Sequence, residues 1–315
     1  MIDYTQKAAK FQKLLNKHKR VTILMHKRPD GDTLSSALAL YGSLKEEAIS
    51  CEVVCIDSDL PIRYQFLEHF FKIKKKIDFE DSLVVTVDCA DESRVGFDIS
   101  SRVIVNIDHH ASNTNFGILN IVEVEVSTTI VLYKLLKEGF VLNRAIATAL
   151  YTGLVSDSIN FTTSLVTKDT FVYASELLEY NVDITMVANY VNRFNSLSHL
   201  RAKQRAMEHL ELFYDAQLAF SYLDEEDFIA SGAKISDIDG IIDEFISLAV
   251  VELAILVTNF NKIVKVSMRS KNVDVSKIAL KFGGGGHKNA AGFEAKNSKI
   301  TDVKEKLLET IKDIL

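Results

Sequence analysis

A histidine and two aspartates stand close together in His26-Lys27-Arg28-Pro29-Asp30-Gly31-Asp32. Pro29 fixes its own φ and pushes Arg28 away from helical geometry, while Gly31 permits a tight turn between the aspartates. Such a loop can aim one imidazole and two carboxylates at nearby points. Taken singly, His26 reads as a strand-end histidine and Asp32 as a helix N-cap. Asp88 follows the apolar run Val84-Val85-Thr86-Val87, and Asp108-His109-His110 follows Val103-Ile104-Val105-Asn106-Ile107. Asp157 follows an apolar helical stretch, where it could equally be a helix-stop residue.

Gathering these aspartates (Asp30, Asp32, Asp88, Asp108, Asp157) and histidines (His26, His109, His110) at one sheet edge would create severe repulsion without a cation. A metal centre is the economical explanation. Carboxylate and imidazole ligands without thiolate favour manganese, magnesium or non-haem iron over a structural zinc site. The ligand number suits two ions. A bridging carboxylate would hold them roughly 3.5 to 4 Å apart, the spacing at which a dinuclear site activates water and clamps a phosphoryl group for in-line displacement.

The surrounding elements must bring these groups together. Strands are expected at Val21 to Met25, Glu52 to Ile56, Leu83 to Val87 and Val103 to Ile107, alternating with helical stretches as in a parallel sheet flanked by helices. Ligands bind beyond the carboxyl ends of strands in open α/β sheets, so the clusters after the first, third and fourth strands should converge. A helix is expected over Thr33 to Glu47 with Asp32 as its N-cap, and others over Thr129 to Lys137, Arg144 to Val155, Lys168 to Glu179 and Ile184 to Arg193. Phe194-Asn195-Ser196-Leu197-Ser198 interrupts the pattern, so the domains are expected at 1–194 and 213–315, with 195–212 as linker and connecting helix.

The second half is expected to carry a strand at Leu218 to Tyr222, an acidic helix start at Asp224-Glu225-Glu226-Asp227, a helix near Ile238 to Ile246, and a hairpin of Val251 to Thr258 with Ile263 to Met268. The helix Val275 to Lys281 precedes Gly283-Gly284-Gly285-Gly286-His287, and an amphipathic helix closes the chain from Thr301 to Leu315. The glycine run is not a P-loop, because no Gly-Lys-Ser or Gly-Lys-Thr follows it. The net charge of -6, from 37 basic and 43 acidic residues, argues against sequence-independent binding of long nucleic acid. Cys51, Cys55 and Cys89 form no C-x-x-C pair and read as reduced, partly buried thiols. No apolar run reaches the roughly 20 residues needed to span a bilayer, and no secretory leader is evident. A cytoplasmic protein without a membrane partner is expected.

In order, spacing and strand-end placement, His26-x-x-x-Asp30-x-Asp32, Asp88, Asp108-His109-His110 and Asp157 resemble the four metal motifs of the DHH phosphoesterase superfamily, over roughly residues 20 to 190. The resemblance implies that His26, Asp30 and Asp88 hold one manganese ion and that Asp32, Asp88, His109 and Asp157 hold the other, with Asp88 bridging. It places His110 beside the substrate phosphate as a hydrogen-bond or proton donor and leaves Asp108 as support for the metal site. The glycine run with His287 and Ala290-Ala291-Gly292-Phe293 is similar to the signature of the DHH-associated domain, and Arg269 matches a phosphate-binding arginine there. Gly284, Gly285, Gly286, His287 and Arg269 are thus implied to bind substrate.

The implied fold is α/β: a mainly parallel N-terminal sheet with flanking helices plus a smaller C-terminal α/β domain, with the active site in the cleft between them. The whole resembles the nano-RNase and 3′-phosphoadenosine 5′-phosphate (pAp) phosphatase family. That implies a metal-dependent hydrolase acting on short RNA, on pAp, or on both. Alternatives are a phosphodiesterase for linear or cyclic dinucleotides, a manganese pyrophosphatase and a catalytically silent nucleotide-binding regulator. Long nucleic acid is not an expected partner, and a homodimer is left open.

Overall fold

The computed structural model describes residues 2–57, 59–296, 298–312 and 314–315. Two compact units divide the chain, Met1–Phe194 and Asn195–Leu315. No helix among the described residues is long and apolar enough to cross a membrane.

The first unit opens with α1 (Tyr4–His18), which is capped by Asp3 and buries Ala8, Phe11 and Leu15 along one face. This helix was not anticipated. There follow β1 (Arg20–Leu24), α2 (Gly31–Glu46), β2 (Ser50–Val54), β3 (Leu83–Val87), β4 (Ile104–Asp108), β5 (Leu119–Val122), α3 (Thr128–Leu136), α4 (Arg144–Asp157), α5 (Lys168–Leu178) and α6 (Ile184–Arg193). The strands form one parallel sheet in the order β2-β1-β3-β4-β5. The chain moves from β1 outward to β2 and returns to β3 on the other side of β1. Adjacent carboxyl ends of β1 and β3 therefore border a topological switch point, the place where open α/β sheets bind ligands.

Strands β3 and β4 are buried along their whole length because both faces of the sheet are covered. On one face Val21, Ile23, Val85 and Val105 pack with α1, α2, α3 and α4. On the other, Leu24, Val54, Val84 and Ile104 pack against Cys89, Val95 and Ile99. β2 starts and ends two residues earlier than expected, and β5 was not anticipated. Asp108 is the last residue of β4 rather than the first beyond it.

In the second unit α7 (Leu197–Glu208), β6 (Glu211–Phe213), β7 (Leu218–Leu223), α8 (Glu225–Ser231), α9 (Ile241–Ile246), β8 (Leu253–Phe260), β9 (Ile263–Ser270), α10 (Val275–Lys281), β10 (Gly285–His287), β11 (Ala290–Lys296) and α11 (Ile300–Ile311) build a mixed sheet, β10-β11-β9-β8-β7-β6. The stretch expected as linker and connecting helix is integral to this unit: Ala202 and Ala206 of α7 join a core with Phe228, Ile242, Phe245 and Leu256. The helix expected to reach Leu212 stops at Glu208, and Glu211–Phe213 is an edge strand. The expected hairpin joins β8 to β9 through Asn261 and Lys262, both at positive φ (49° and 63°), the geometry of a two-residue turn matched to strand twist.

Candidate metal centre

His26 lies two residues beyond β1, on the switch-point edge. Its Nδ1 is 2.7 Å from the carbonyl oxygen of Lys27. A carbonyl only accepts, so Nδ1 carries the hydrogen and Nε2 faces the site. His109 repeats this arrangement, with Nδ1 3.0 Å from the Glu125 carbonyl and Nε2 3.6 Å from Asp88 Oδ1 and 3.5 Å from Asp157 Oδ2. Backbone acceptors that fix the ring in this way are the usual support of a metal-binding imidazole.

Asp30, not Asp32, is the N-cap of α2, accepting from the Thr33 amide at 3.0 Å. Asp32 sits within the first turn, and its two oxygens accept from the backbone amides of Thr128 (2.6 Å) and Thr129 (3.1 Å) at the start of α3. The positive end of α3 thus faces a buried carboxylate. Glycine permits this crowding twice. A side chain at Gly31 would run into the Tyr64 ring and Ser156, and one at Gly153 would meet Thr129 and Asp32.

Asp88 follows β3 at φ +57°, a left-handed conformation that Asp tolerates better than most residues. Thr128 Oγ1 donates to its Oδ1 at 2.9 Å, and Thr33 Oγ1 lies 2.5 Å from its Oδ2. Thr33 Oγ1 is also 2.9 Å from Asp30 Oδ1 and 2.6 Å from His26 Nε2. Neither threonine was singled out from the sequence. The Ser127-Thr128-Thr129 run at a helix start was the available signal, but it looks the same when it merely caps a helix.

Among the described residues the candidate ligand atoms fall into three groups, each within 4.8 Å: His26, Asp30 and Asp88; Asp32, His109 and Asp157; and Asp88, His109 and His110. Asp88 belongs to two of them. Their electrostatics are unbalanced. Burial and the charge of Asp88 push Asp32 up to about 7, against the opposing pull of His109. Burial and Asp32 likewise push Asp157 well above the carboxylate range. Asp88 is held well below that range: burial opposes its charge, but the His26 hydrogen bond and the charges of His110, His26 and His109 outweigh it. His109 rises to about 9, since Asp157, Asp88 and Asp32 overcome the burial that disfavours its charged form. Two inward Nε2 atoms and carboxylates that cannot all comfortably ionise fit divalent cations, whose charge would relieve the repulsion.

Asp108 is in none of these groups, whereas His110 joins Asp88 and His109 in the third. His110 Nδ1 lies 2.7 Å from Asp108 Oδ1 and 3.6 Å from Asp88 Oδ1. Asp108 is fully buried, and its other oxygen accepts from Asn113 Nδ2 at 2.5 Å.

In the second unit, strand register aligns His287, Ala290 and Arg269 across β10, β11 and β9, with Gly285, Gly292 and Ser267 in the parallel row two residues along. Paired residues share a face, so Arg269 and His287 flank a floor of small residues. The glycine run thus contains the strand Gly285–His287. Gly286 has φ +143°, and a side chain there would strike Ala290 and Ala291. Arg269 is engaged: its Nε donates to Asp243 Oδ1 at 3.1 Å, and its Nη1 to the Met268 carbonyl at 3.3 Å. Burial pushes Asp243 up, and the Arg269 charge pulls it back.

Comparison with known proteins agrees with this geometry. Residues 20–154 match the family model described as "DHH family, N-terminal domain", and residues 215–315 match the DHHA1 domain. The chain is 30% identical over 305 residues to the bifunctional oligoribonuclease and PAP phosphatase NrnA of Thermus thermophilus, covering 94% of this chain and 90% of that one. It is 26% identical over 330 residues to the cyclic-di-AMP phosphodiesterase PdeA of Listeria monocytogenes, covering 95% of this chain and 48% of that protein. In fold it is similar to an exopolyphosphatase-related protein of Bacteroides fragilis, with a TM-score of 0.86 at 22% identity, covering 98% of this chain and 97% of that one. The chain belongs to the DHH family of phosphoesterases, in the branch that joins a DHH domain to a DHHA1 domain and includes the NrnA proteins. It is therefore a hydrolase of phosphoester bonds.

Proposed function

We propose that this protein hydrolyses short oligoribonucleotides to mononucleotides and pAp to AMP, in the cytoplasm, at a centre of two divalent cations, most favourably manganese. The observation that carries the reading is that Asp88 groups with His26 and Asp30 on one side and with His109 on the other, that His109 also groups with Asp32 and Asp157, and that His26 and His109 present Nε2. His26, Asp30 and Asp88 would hold one ion, and Asp32, Asp88, His109 and Asp157 the other. Imidazole ligands favour manganese over magnesium, which prefers an oxygen shell. The chemistry such ions supply when bound is Lewis acidity toward a water and the phosphoryl oxygens.

Both reactions are one displacement. Water attacks the phosphorus attached to a 3′ oxygen, the P–O3′ bond breaks, and the departing oxygen takes a proton. His110, oriented by Asp108, is the group that donates a hydrogen bond or proton to the phosphate. Arg269, His287 and the amides of Gly284, Gly285 and Gly286 hold a second, 5′-terminal phosphate. Substrates of about two to four nucleotides are favoured, because a chain with a net charge of -6 has little to hold a longer strand.

A second reading, hydrolysis of linear or cyclic dinucleotide signals, draws on the likeness to PdeA. One panel separates them: product release from pAp, pApA, cyclic di-AMP, a 5′-phosphorylated RNA of about 20 nucleotides and pyrophosphate, with manganese and with magnesium. The proposal expects rapid turnover of pAp and pApA, slow turnover of the long RNA, and higher rates with manganese. Turnover of cyclic di-AMP faster than pApA would transfer the assignment to the second reading. No hydrolysis of pAp or pApA with either metal would refute the first.

A further inference from the structure

We propose that Asn113 is a positioning residue for His110, acting through Asp108. The inference rests on the reading of His110 as the imidazole beside the scissile phosphate. It concerns what sets that ring's orientation, which neither its motif nor its family assignment specifies.

Asp108 closes β4 and has no exposure to solvent. Its Oδ1 lies 2.7 Å from His110 Nδ1, and its Oδ2 lies 2.5 Å from Asn113 Nδ2. A carboxylate oxygen accepts, so both oxygens are engaged and His110 carries its hydrogen on Nδ1. With Nδ1–H given to Asp108, donation to a phosphate requires a second hydrogen on Nε2, and the Asp108 carboxylate offsets the positive charge of the ring that carries both. Asn113 is itself held. Its Nδ2 reaches Asn106 Oδ1 at 2.8 Å and the Cys89 carbonyl at 3.2 Å. Asn106 in turn donates to Thr86 Oγ1 at 2.9 Å and to the Cys89 carbonyl at 3.0 Å. The imidazole is therefore referenced, through three side chains, to the neighbouring strands β3 and β4. Cys89 is the residue next to Asp88, so the same network ties the ring to the strand end that carries the shared carboxylate.

Removal of the Asn113 donor leaves a buried carboxylate oxygen without its partner. Asp108 then turns toward other donors and releases the ring. A rival account makes Asn113 a loop staple, because its Oδ1 accepts from the Asn115 amide at 2.7 Å and its own amide donates to the His110 carbonyl at 3.1 Å. Asn113→Asp separates the two accounts: it keeps the Oδ1 acceptor and replaces the Nδ2 donor. Asn113→Ala removes both.

The experiment measures kcat and KM for pApA and the manganese titration midpoint in wild type, Asn113→Asp, Asn113→Ala, His110→Ala and the Asn113→Ala, His110→Ala double variant. It also records the low-field Nδ1–H resonance of His110 in histidine-labelled protein, assigned by its absence from His110→Gln. Expected are a fall in kcat of about tenfold or more in both Asn113 variants, with KM and the manganese midpoint within about twofold of wild type. In the His110→Ala background, Asn113→Ala should cost less than about twofold further. The resonance should be present in wild type and lost in both Asn113 variants. A loss of equal size in the His110→Ala background, a loss that follows manganese affinity, or a resonance that survives Asn113→Ala would overturn the proposal in favour of the loop staple. If wild type hydrolyses no short substrate, the functional reading fails, but the resonance still decides whether Asn113 holds the ring.

Discussion

The candidate groups of the first unit are mostly buried side chains at the ends of parallel strands, each oriented by a second group: His26 by the Lys27 carbonyl, His109 by that of Glu125, Asp32 by the start of α3, Asp88 by Thr33 and Thr128. Those of the second unit, Arg269 and His287, stand more open on a sheet face whose floor is Ala290, Gly285 and Gly292. The first arrangement suits a step that requires fixed geometry, since preorganised charge does not have to reorganise during reaction. The second suits a grip that several substrates can share. Damage to the first should therefore appear in turnover and metal affinity, and damage to the second in KM.

The largest effect tests the first half of that contrast. Asp88→Asn removes a charged ligand common to both proposed ion positions, and should lower kcat by more than about a hundredfold, at least about 3 kcal/mol of transition-state stabilisation. Circular dichroism should remain that of wild type. Retention of more than about a tenth of wild-type turnover in saturating manganese would refute the shared-ligand assignment. Thr128→Val is next in size. It is nearly isosteric and removes the hydroxyl on Asp88 Oδ1, leaving that oxygen to find another donor. Loss of such a partner costs about 1 to 3 kcal/mol, so the manganese midpoint should rise about tenfold or more. A midpoint within twofold of wild type would mean that Asp88 is held without Thr128.

These two variants also mark the limit of what was legible in the sequence. Asp88 could be read because an acidic residue after an apolar strand has a predictable place, and several such places converge at a switch point. Thr128 could not, because its hydroxyl reaches Asp88 from 40 positions away through packing of α3 on the sheet. Asp30 and Asp32 were both recognised, yet the cap was expected at Asp32 and is formed by Asp30. Either can cap a helix, and only the approach of α3 shows which one turns inward. The strand Gly285–His287 was hidden for another reason: three residues, two of them glycine, have almost no strand signature until β11 pairs with them.

Arg269→Ala and His287→Ala test the second half of the contrast. Each removes one proposed phosphate contact, worth about 1.5 to 3 kcal/mol for a charge-assisted bond at the upper end of burial. KM for pApA should rise about tenfold, while kcat/KM for ApA, which has no 5′-phosphate, should change less than about twofold. Equal losses on pApA and ApA would mean that these residues support the fold or the chemistry rather than a 5′-phosphate.

The smallest effect is expected from Asp243→Asn, and its sign is the informative quantity. The Asp243 carboxylate lies 3.1 Å from Arg269 Nε, where it both orients the guanidinium and offsets part of its charge. Asparagine retains an oxygen that can accept from Nε but carries no charge. If Arg269 binds phosphate, the substitution keeps the orientation and removes a competing anion, so KM for pApA should fall. The two side chains are partly exposed, 32% for Arg269 and 47% for Asp243, and pairs open to solvent are worth roughly 0 to 1 kcal/mol, which limits the fall to about fivefold. Added salt should narrow the difference from wild type, since it screens exposed charge. KM for ApA should not move. A higher KM for pApA in Asp243→Asn would mean that the charge of Asp243 is needed to hold Arg269 in place, and the second unit would then depend on the same fixed geometry as the first.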